Sequence, residues 1–290
     1  MELLLSGLVT GLFLGGLYAL SAFGLSLVYG VMGLVNLAHG DFMILAAFLS
    51  FSLTGVLHLD PLVSLVLVSP CMFVLGYAIQ GTLINRLLSK RSLEAGIVTT
   101  LGLSLILQTV LQDVYTSQVR TFTPGYAARG TTFFGITVPN SYLLCFGVAL
   151  AVAAGTHMLV RRTSFGRQAR AAAEDPVTAR LMGIRVERTY NLTFGLGAAL
   201  SAVAGVLIGV AFSFTPFTGT TFLLKGFAVV VLGGLGSIVG TLVAGLALGA
   251  VEGLGASIFG GSYRDLVTYA VFLLILLLAP NGLFGGRSQV

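Results

Sequence analysis

The sequence predicts an all-α, polytopic integral membrane protein with about eight transmembrane helices, some broken or re-entrant, in one transmembrane domain over residues 1–290. Three observations predict it. Of the 290 residues 56% are hydrophobic and 9% charged, and mean hydropathy is +1.01, a composition that would aggregate as a soluble core. The apolar runs are continuous, whereas barrel strands alternate apolar and polar residues. Basic residues are gathered between the runs, and the segment 161–188, RRTSFGRQARAAAEDPVTARLMGIRVER, alone holds 7 of the 15 Lys and Arg residues. The net charge of +5 is therefore a topology signal and implies no nucleic-acid partner.

A crossing needs about 20 residues. The first run, 5–30, opens as MELLLSGLVTG, with Glu2 where a signal peptide carries positive charge, and continues past position 30, so it reads as a span that is kept. Further runs follow at 41–57, 61–84, 94–112, 140–160, 189–212, 238–258 and 265–280, with a shorter one at 222–232. Arg86, Lys90, Arg91, the seven arginines of 161–188 and Arg287 put 11 basic residues on one side; Arg120, Arg129, Arg264 and Lys225 fall on the other. By the positive-inside rule the first side is cytoplasmic, which places 161–188 and the C-terminus inside. Segment 113–139 then faces outward, either as a docking surface for an external protein or as a connecting loop. Cys71 and Cys145 lie in apolar runs and read as packing residues, not as a disulfide or metal framework. Small residues four apart (Gly11 with Gly15, Ser201 with Gly205 and Gly209, Gly245 with Gly249 and Gly253) predict close helix packing.

Two regions break the helical pattern. VYGVMGLVNLAHGDF, 28–42, sets Asn36, His39 and Asp41 in apolar surroundings, and VVVLGGLGSIVGTLVAG, 229–245, sets Gly233, Gly234, Gly236 and Ser237 between a half-helix and a long helix. Broken helices in corresponding positions of two halves point to a transport pathway, because freed backbone groups must line a cavity or be buried in protein. Asn36, His39, Asp41, Gly233, Gly234, Gly236 and Glu252 are accordingly the candidate pathway or gate residues. For the side chains of His39 and Asp41 the favoured alternative is a cytoplasmic turn, with Asp41 capping the following helix. Glu252 lies within an apolar helix, where a carboxylate costs about 2.5–3.5 kcal/mol at the bilayer centre. It faces a partner or water, or else sits in solvent at the helix end; Lys225 poses the same choice.

Two further motifs exclude function classes. GLGSIVG at 234–240 is not a dinucleotide loop, for it lacks the preceding strand and the acidic ribose ligand. There is no GxxxxGK[ST], so the chain has no P-loop of its own, and no nucleophile, metal set or paired carboxylates converge in sequence; an enzyme is not expected. Within 161–188, Asp175 followed by Pro176 suits an N-cap and first helical position, and Gly183 a helix stop. The segment predicts one helix over about 166–174, a corner at Asp175 and a second helix over 176–182. Ala171, Ala172, Ala173, Ala179, Leu181 and Met182 offer a small apolar surface fit to enter a partner's groove, the alternative being a loop resting on anionic lipid.

The stretches GLVNLAHGDFMILAAF (33–48), GRQARAAAEDPVTARLMGI (166–184), KGFAVVVLGGLGSIVGTLVAG (225–245) and APNGLFG (279–285) together resemble bacterial ABC importer permeases of the branched-chain amino acid, LivH type. The resemblance covers nearly the whole chain. It implies an inner-membrane permease paired with a related second permease, two cytoplasmic ATPase subunits that use the ATP, a periplasmic substrate-binding protein, and no cofactor on this chain. It places the ATPase-coupling segment on Ala171, Ala172, Ala173, Glu174, Asp175 and Gly183. The broader importer motif begins Glu-Ala-Ala, whereas the order here is Ala-Ala-Ala-Glu-Asp. Expected cargo is Leu, Ile or Val; the alternatives are urea, short amides or other amino acids on the same machinery, or an ion-coupled carrier using Glu252, Asp41 or His39.

Overall fold

The computed structural model describes residues 2–88, 93–127, 129–133 and 135–278. Lys90, Arg91, Arg287 and the 279–285 stretch lie outside them. The elements are α1 (Glu2–Met32), α2 (His39–Leu57), α3 (Pro61–Ile79), a π-turn (Gln80–Ile84) running into α4 (Asn85–Leu88), α5 (Leu93–Tyr115), β1 (Gly130–Phe133), β2 (Ile136–Pro139), α6 (Asn140–Arg162), α7 (Ser164–Glu174), α8 (Pro176–Leu181), α9 (Val186–Ala211), α10 (Thr218–Gly233), α11 (Ile238–Phe259), a 3-10 turn (Gly261–Tyr263) and α12 (Arg264–Leu278). Each of the eight apolar runs forms a helix long enough to cross a membrane, and the short run becomes α10. Segment 113–139 carries a small antiparallel hairpin, β1 with β2, turned by Gly135 at φ +83°.

Helix α1 is apolar on every face, and a helix of that kind is buried. Leu17, Tyr18, Ala19, Leu20, Ala22 and Phe23 are each at most 1% exposed. Around it stand α11, α9, α6 and α10, while α3, α5 and α12 turn Val66, Val74, Val98, Ile106 and Leu277 outward, as lipid-facing helices do. The α1–α11 seam is set by glycine. A Cβ on Gly249 would stand 2.4 Å from the Gly11 carbonyl oxygen, one on Gly15 2.5 Å from that of Gly245, and one on Gly253 2.1 Å from that of Gly7. The two backbones therefore touch, and the rising numbers on one helix against falling numbers on the other make them antiparallel.

Helix α9 is also antiparallel to α1, with Leu27 and Val31 of α1 packed near Tyr190 and Leu196, and Leu14 in the cluster that holds Leu207 and Ile208. Because α9 and α11 run the same way, the chain must return between them. Helix α10 makes that return in 16 residues, about 24 Å at 1.5 Å per residue. The eight long helices are the expected ones, and α10, the shorter apolar helix between α9 and α11, adds the return that puts Glu2 and Leu278 at opposite ends of the bundle. The end that carries α7 and α8 is called the basic end below.

Replacing Gly249 by Ala is expected to lower the stability of the detergent-solubilised protein by about 1–3 kcal/mol through overpacking, read as a fall in melting temperature. Gly102, which has nothing within 4 Å of its would-be Cβ, accepts Ala without loss. Equal melting temperatures for the two variants would contradict the seam.

Candidate translocation core and coupling helices

After α1 ends at Met32, Gly33 takes φ +63° and the chain doubles back beside the helix it has just left. It arrives at α2 next to Ser21 and Gly24, about two to three turns from the end of α1. The link is inside the bundle: Leu34 is 1% exposed, Asn36 2% and Ala38 0%. Non-helical backbone at that depth must have partners, and several polar groups here find them locally or on α5. The Asn36 side-chain oxygen accepts from the Ala38 amide at 3.1 Å. Thr100 of α5 receives the Leu37 amide and donates toward the Val35 carbonyl, both at 3.3 Å.

His39 fills the space that Gly24 leaves open, where a Cβ would lie 2.6 Å from its ring. Its Nε2 is 3.0 Å from the Ser21 carbonyl oxygen, an acceptor, so the tautomer present carries hydrogen on Nε2. Asp41 accepts from Gln108 Nε2 at 2.9 Å. Both side chains are buried, at 1% and 2% exposure, which overturns the reading of a cytoplasmic turn. Nor does Asp41 cap α2, for the N-cap position is Ala38, without a side-chain bond. Gly40 meets Gly219, whose carbonyl oxygen would be 2.2 Å from a Cβ on Gly40, so the first turns of α2 and α10 touch inside the bundle.

That contact relocates the second break. Gly233, Gly234 and Gly236 form a turn at the basic end, with Gly234 at φ +84°, Gly236 at φ +86° and Ser237 capping α11 through the Gly240 amide. Gly236 is exposed and rests against Gly30 of α1. The internal partner of the 33–38 link is instead 212–217, where Phe214 is fully buried and bridged to Arg120. Phe214, Phe48, Phe51, Phe122 and Tyr115 pack as an aromatic cluster over the end of the bundle away from the basic end. Pro216 and the Thr215–Thr218 pairing were the sequence signals for this break.

Glu252 is fully buried, which removes the solvent-facing reading. It accepts from Tyr18 Oη at 2.6 Å, from Lys225 Nζ at 3.1 Å and from Arg264 Nε. Lys225 also pairs with Asp265 at 2.9 Å and stacks on the Tyr18 ring at 4.8 Å. Two cations and two carboxylates cancel, so α1, α10, α11 and α12 are tied by a neutral network. Arg264, which the sequence assigned to a loop, is the first residue of α12 with its guanidinium turned inward. Sequence reading found both Lys225 and Glu252 but not their union; two opposite charges in apolar runs, each needing a partner, were the available signal.

At the basic end α7 and α8 form the expected pair with a corner at Asp175. Asp175 accepts from the Val177 amide at 2.8 Å and from the Thr178 hydroxyl. The hydroxyl first, then the backbone amides, hold its carboxyl below the usual carboxylate range. Gly183 takes φ +83° and ends the pair. Ala172 and Ala179 are buried against Val186 of α9, with Ala171 partly so; they hold the pair to the bundle and are not offered outward. The outward face is Ala173, Glu174, Asp175, Val177, Leu181 and Met182, the last two 83% and 78% exposed, beside a groove of about 500 Å³ lined by Glu174, Asp175, Thr178 and Met182. Inward, Ala169 of α7 packs on Leu27 and Val31 of α1. The pair thus bears on α1 and α9 together.

The family model described as branched-chain amino acid transport system / permease component matches residues 7–276. The chain is 35% identical to the high-affinity branched-chain amino acid transport system permease protein BraD of Pseudomonas aeruginosa, over 99% of this chain and 97% of that one. It is 31% identical to LivH of Escherichia coli K12 over 99% and 96%, and 29% identical to the ribose import permease protein RbsC of the same organism over 91% and 82%. No solved structure matches the chain at a significant level.

Glu252→Ala should destabilise the solubilised protein by about 3–5 kcal/mol, because it leaves the buried Lys225 and the half-buried Arg264 facing one another without their shared carboxylate, whereas the double variant Lys225→Met, Glu252→Met should lose less than the single one. Melting temperatures that fall further in the double variant would refute the network. For Asp175 the folded carboxyl titrates below its unfolded value, so its contribution is complete above the ordinary carboxylate range and is lost as pH falls through the lowered value. Asp175→Ala should expose the α8 backbone to hydrogen exchange at neutral pH, and Asp175→Asn, which can still cap, should do so much less.

Proposed function

Because the chain belongs to the branched-chain amino acid transport system permease family, we propose that it carries Leu, Ile and Val across a bacterial inner membrane as one permease of an ATP-driven importer. The observation that supports this best is the outward face of α7 and α8. An exposed apolar and acidic corner, Glu174, Asp175, Leu181 and Met182, held rigidly on a membrane bundle with no ATPase motif of its own, suits a chain that borrows its energy from a docked subunit. The ATP is used there. In this reading the basic end is cytoplasmic by the positive-inside rule, and with nine passes the N-terminus lies outside.

The partners follow from the same reading: a second, related permease, two cytoplasmic ATPase subunits and a periplasmic binding protein that delivers cargo. Closure of the ATPase pair pushes α7 and α8; Ala169 transmits the push to α1, and Ala172 and Ala179 to α9. The helices then rock about the two internal breaks, 33–38 and 212–217, where the helical backbone ladder is interrupted. Asn36, His39 and Asp41 gate the path by exchanging their present partners, and the aromatic cluster of Phe48, Phe122 and Phe214 closes its outer end. A largely apolar path suits aliphatic side chains, and helix breaks supply backbone groups for the ammonium and carboxylate. The similarity to a ribose permease supports a scaffold that accepts other small polar cargo, so urea, short amides or other amino acids form the second reading.

Uptake of radiolabelled leucine is measured in cells with the chain, without it, and with Glu174 and Asp175 both changed to Ala, at constant binding-protein level. Loss of uptake in both altered strains, with normal membrane insertion of the variant, is expected. Unchanged uptake without the chain would remove leucine as cargo, and a normal rate in the double variant would remove the docking role of the corner.

A further inference from the structure

One cavity at the basic end is used by nothing above. It has a volume of about 540 Å³ and lies between the inner ends of α6, α7 and α11, walled by His157, Arg161, Arg170, Ser237 and Val239. Arg170 is fixed across the α6–α7 corner by donating to the Val160 carbonyl. Arg161 ends α6 and is exposed. Among the described residues no ion pair joins Arg161 or Arg170 to a carboxylate. The first turn of α11 adds the Ile238 and Val239 amides, which as first-turn groups have no intrahelical acceptor.

Above the cavity the surface turns apolar along the same two helices. On α6, Ala154 and Leu150 follow His157 at helical spacing and are exposed; on α11, Val239 and Val243 are 51% and 40% exposed. A cationic pocket at the level of the basic loop, continued by an apolar groove toward the membrane middle, has the polarity and order of a phospholipid: anionic headgroup below, acyl chain above. We propose that this cavity binds one anionic phospholipid, with Arg161 and Arg170 on its phosphate and the α6–α11 groove on its chain. The inference does not depend on the cargo, only on the chain lying in a membrane. Since α7 and the Gly236 turn form its walls, an occupied site braces the α6–α7 corner against α11 and stiffens the coupling pair.

The test is native mass spectrometry of the full-length protein, exchanged into micelles that contain equal phosphatidylglycerol and phosphatidylethanolamine. The wild-type chain should retain phosphatidylglycerol preferentially, and Arg161→Gln with Arg170→Gln should lower that retention on the order of tenfold, as expected for two basic groups near an anionic headgroup. Arg161→Gln alone, which breaks no internal bond, should lower it in part, so a folding defect from Arg170 is told apart. Arg162→Gln with Arg167→Gln, on the same basic segment but outside the cavity, should leave it unchanged. Three results would overturn the proposal: equal loss in that control pair, which means diffuse surface charge; displacement of the lipid by inorganic phosphate with no preference between the two headgroups, which means a soluble-anion site; or a dimer that shields Val239→Cys from labelling while excluding lipid, which means a second permease covers the groove.

Discussion

Hydrocarbon supplies no hydrogen-bond partner, and the buried charges and the 33–41 segment of this chain are arranged around that constraint. Glu252 is the sharpest instance. A carboxylate with no exposure would be untenable alone, and it is matched by Tyr18, Lys225 and Arg264 brought from three other helices. The same logic governs the 33–41 segment, where Thr100 answers the Leu37 amide of the link and Ser21 and Gln108 answer His39 and Asp41 at the start of α2. These bonds are made across helices rather than within them, so they specify which helix stands beside which, a task that apolar surface cannot perform in a solvent of lipid tails.

The bundle divides into a fixed part and a part able to move. The α1–α11 seam is backbone against backbone through Gly7, Gly11, Gly15 and their partners, with the neutral charge network at the end away from α7 and α8; it has little freedom to slide. The elements that start at an internal break, α2 and α10, meet through Gly40 and Gly219 without side chains between them. A contact of that kind has no interlocking side chains to disengage. The coupling pair bears on the inner third of α1 and on the start of α9, next to the Gly30–Gly236 contact, which places the input of a push between the fixed seam and the movable links.

Much of this was legible in the sequence. The eight long runs became eight long helices because unbroken apolar character over about 20 residues admits little else, and the Asp175–Pro176 corner formed where capping chemistry put it. Four things were not legible. Burial of His39 and Asp41 depends on the chain doubling back after Gly33, and their partners, Ser21 and Gln108, lie 18 and 67 positions away. The inner break at 212–217 fell in the gap between the runs 189–212 and 222–232 and read there as an ordinary connection, whereas the glycines at 233–236 drew attention to a turn at the basic end. The short α10 reads as half a helix in sequence, and its place as the return between α9 and α11 depends on the direction of those neighbours. Ala172 was legible as apolar but not as inward, since facing depends on Val186 from the next helix.

The central claim is that the 33–41 segment, held by bonds from other helices, is the part that changes while the α1–α11 seam does not. Backbone hydrogen exchange of the assembled transporter, compared between the nucleotide-free state and a state trapped with a non-hydrolysable ATP analogue, tests it directly. The account predicts that amides from Leu37 to Asp41 lose protection in the trapped state while those of Gly11 to Gly15 and Gly245 to Gly249 keep theirs. Unchanged protection at Leu37 to Asp41, or equal loss along the seam, would contradict it.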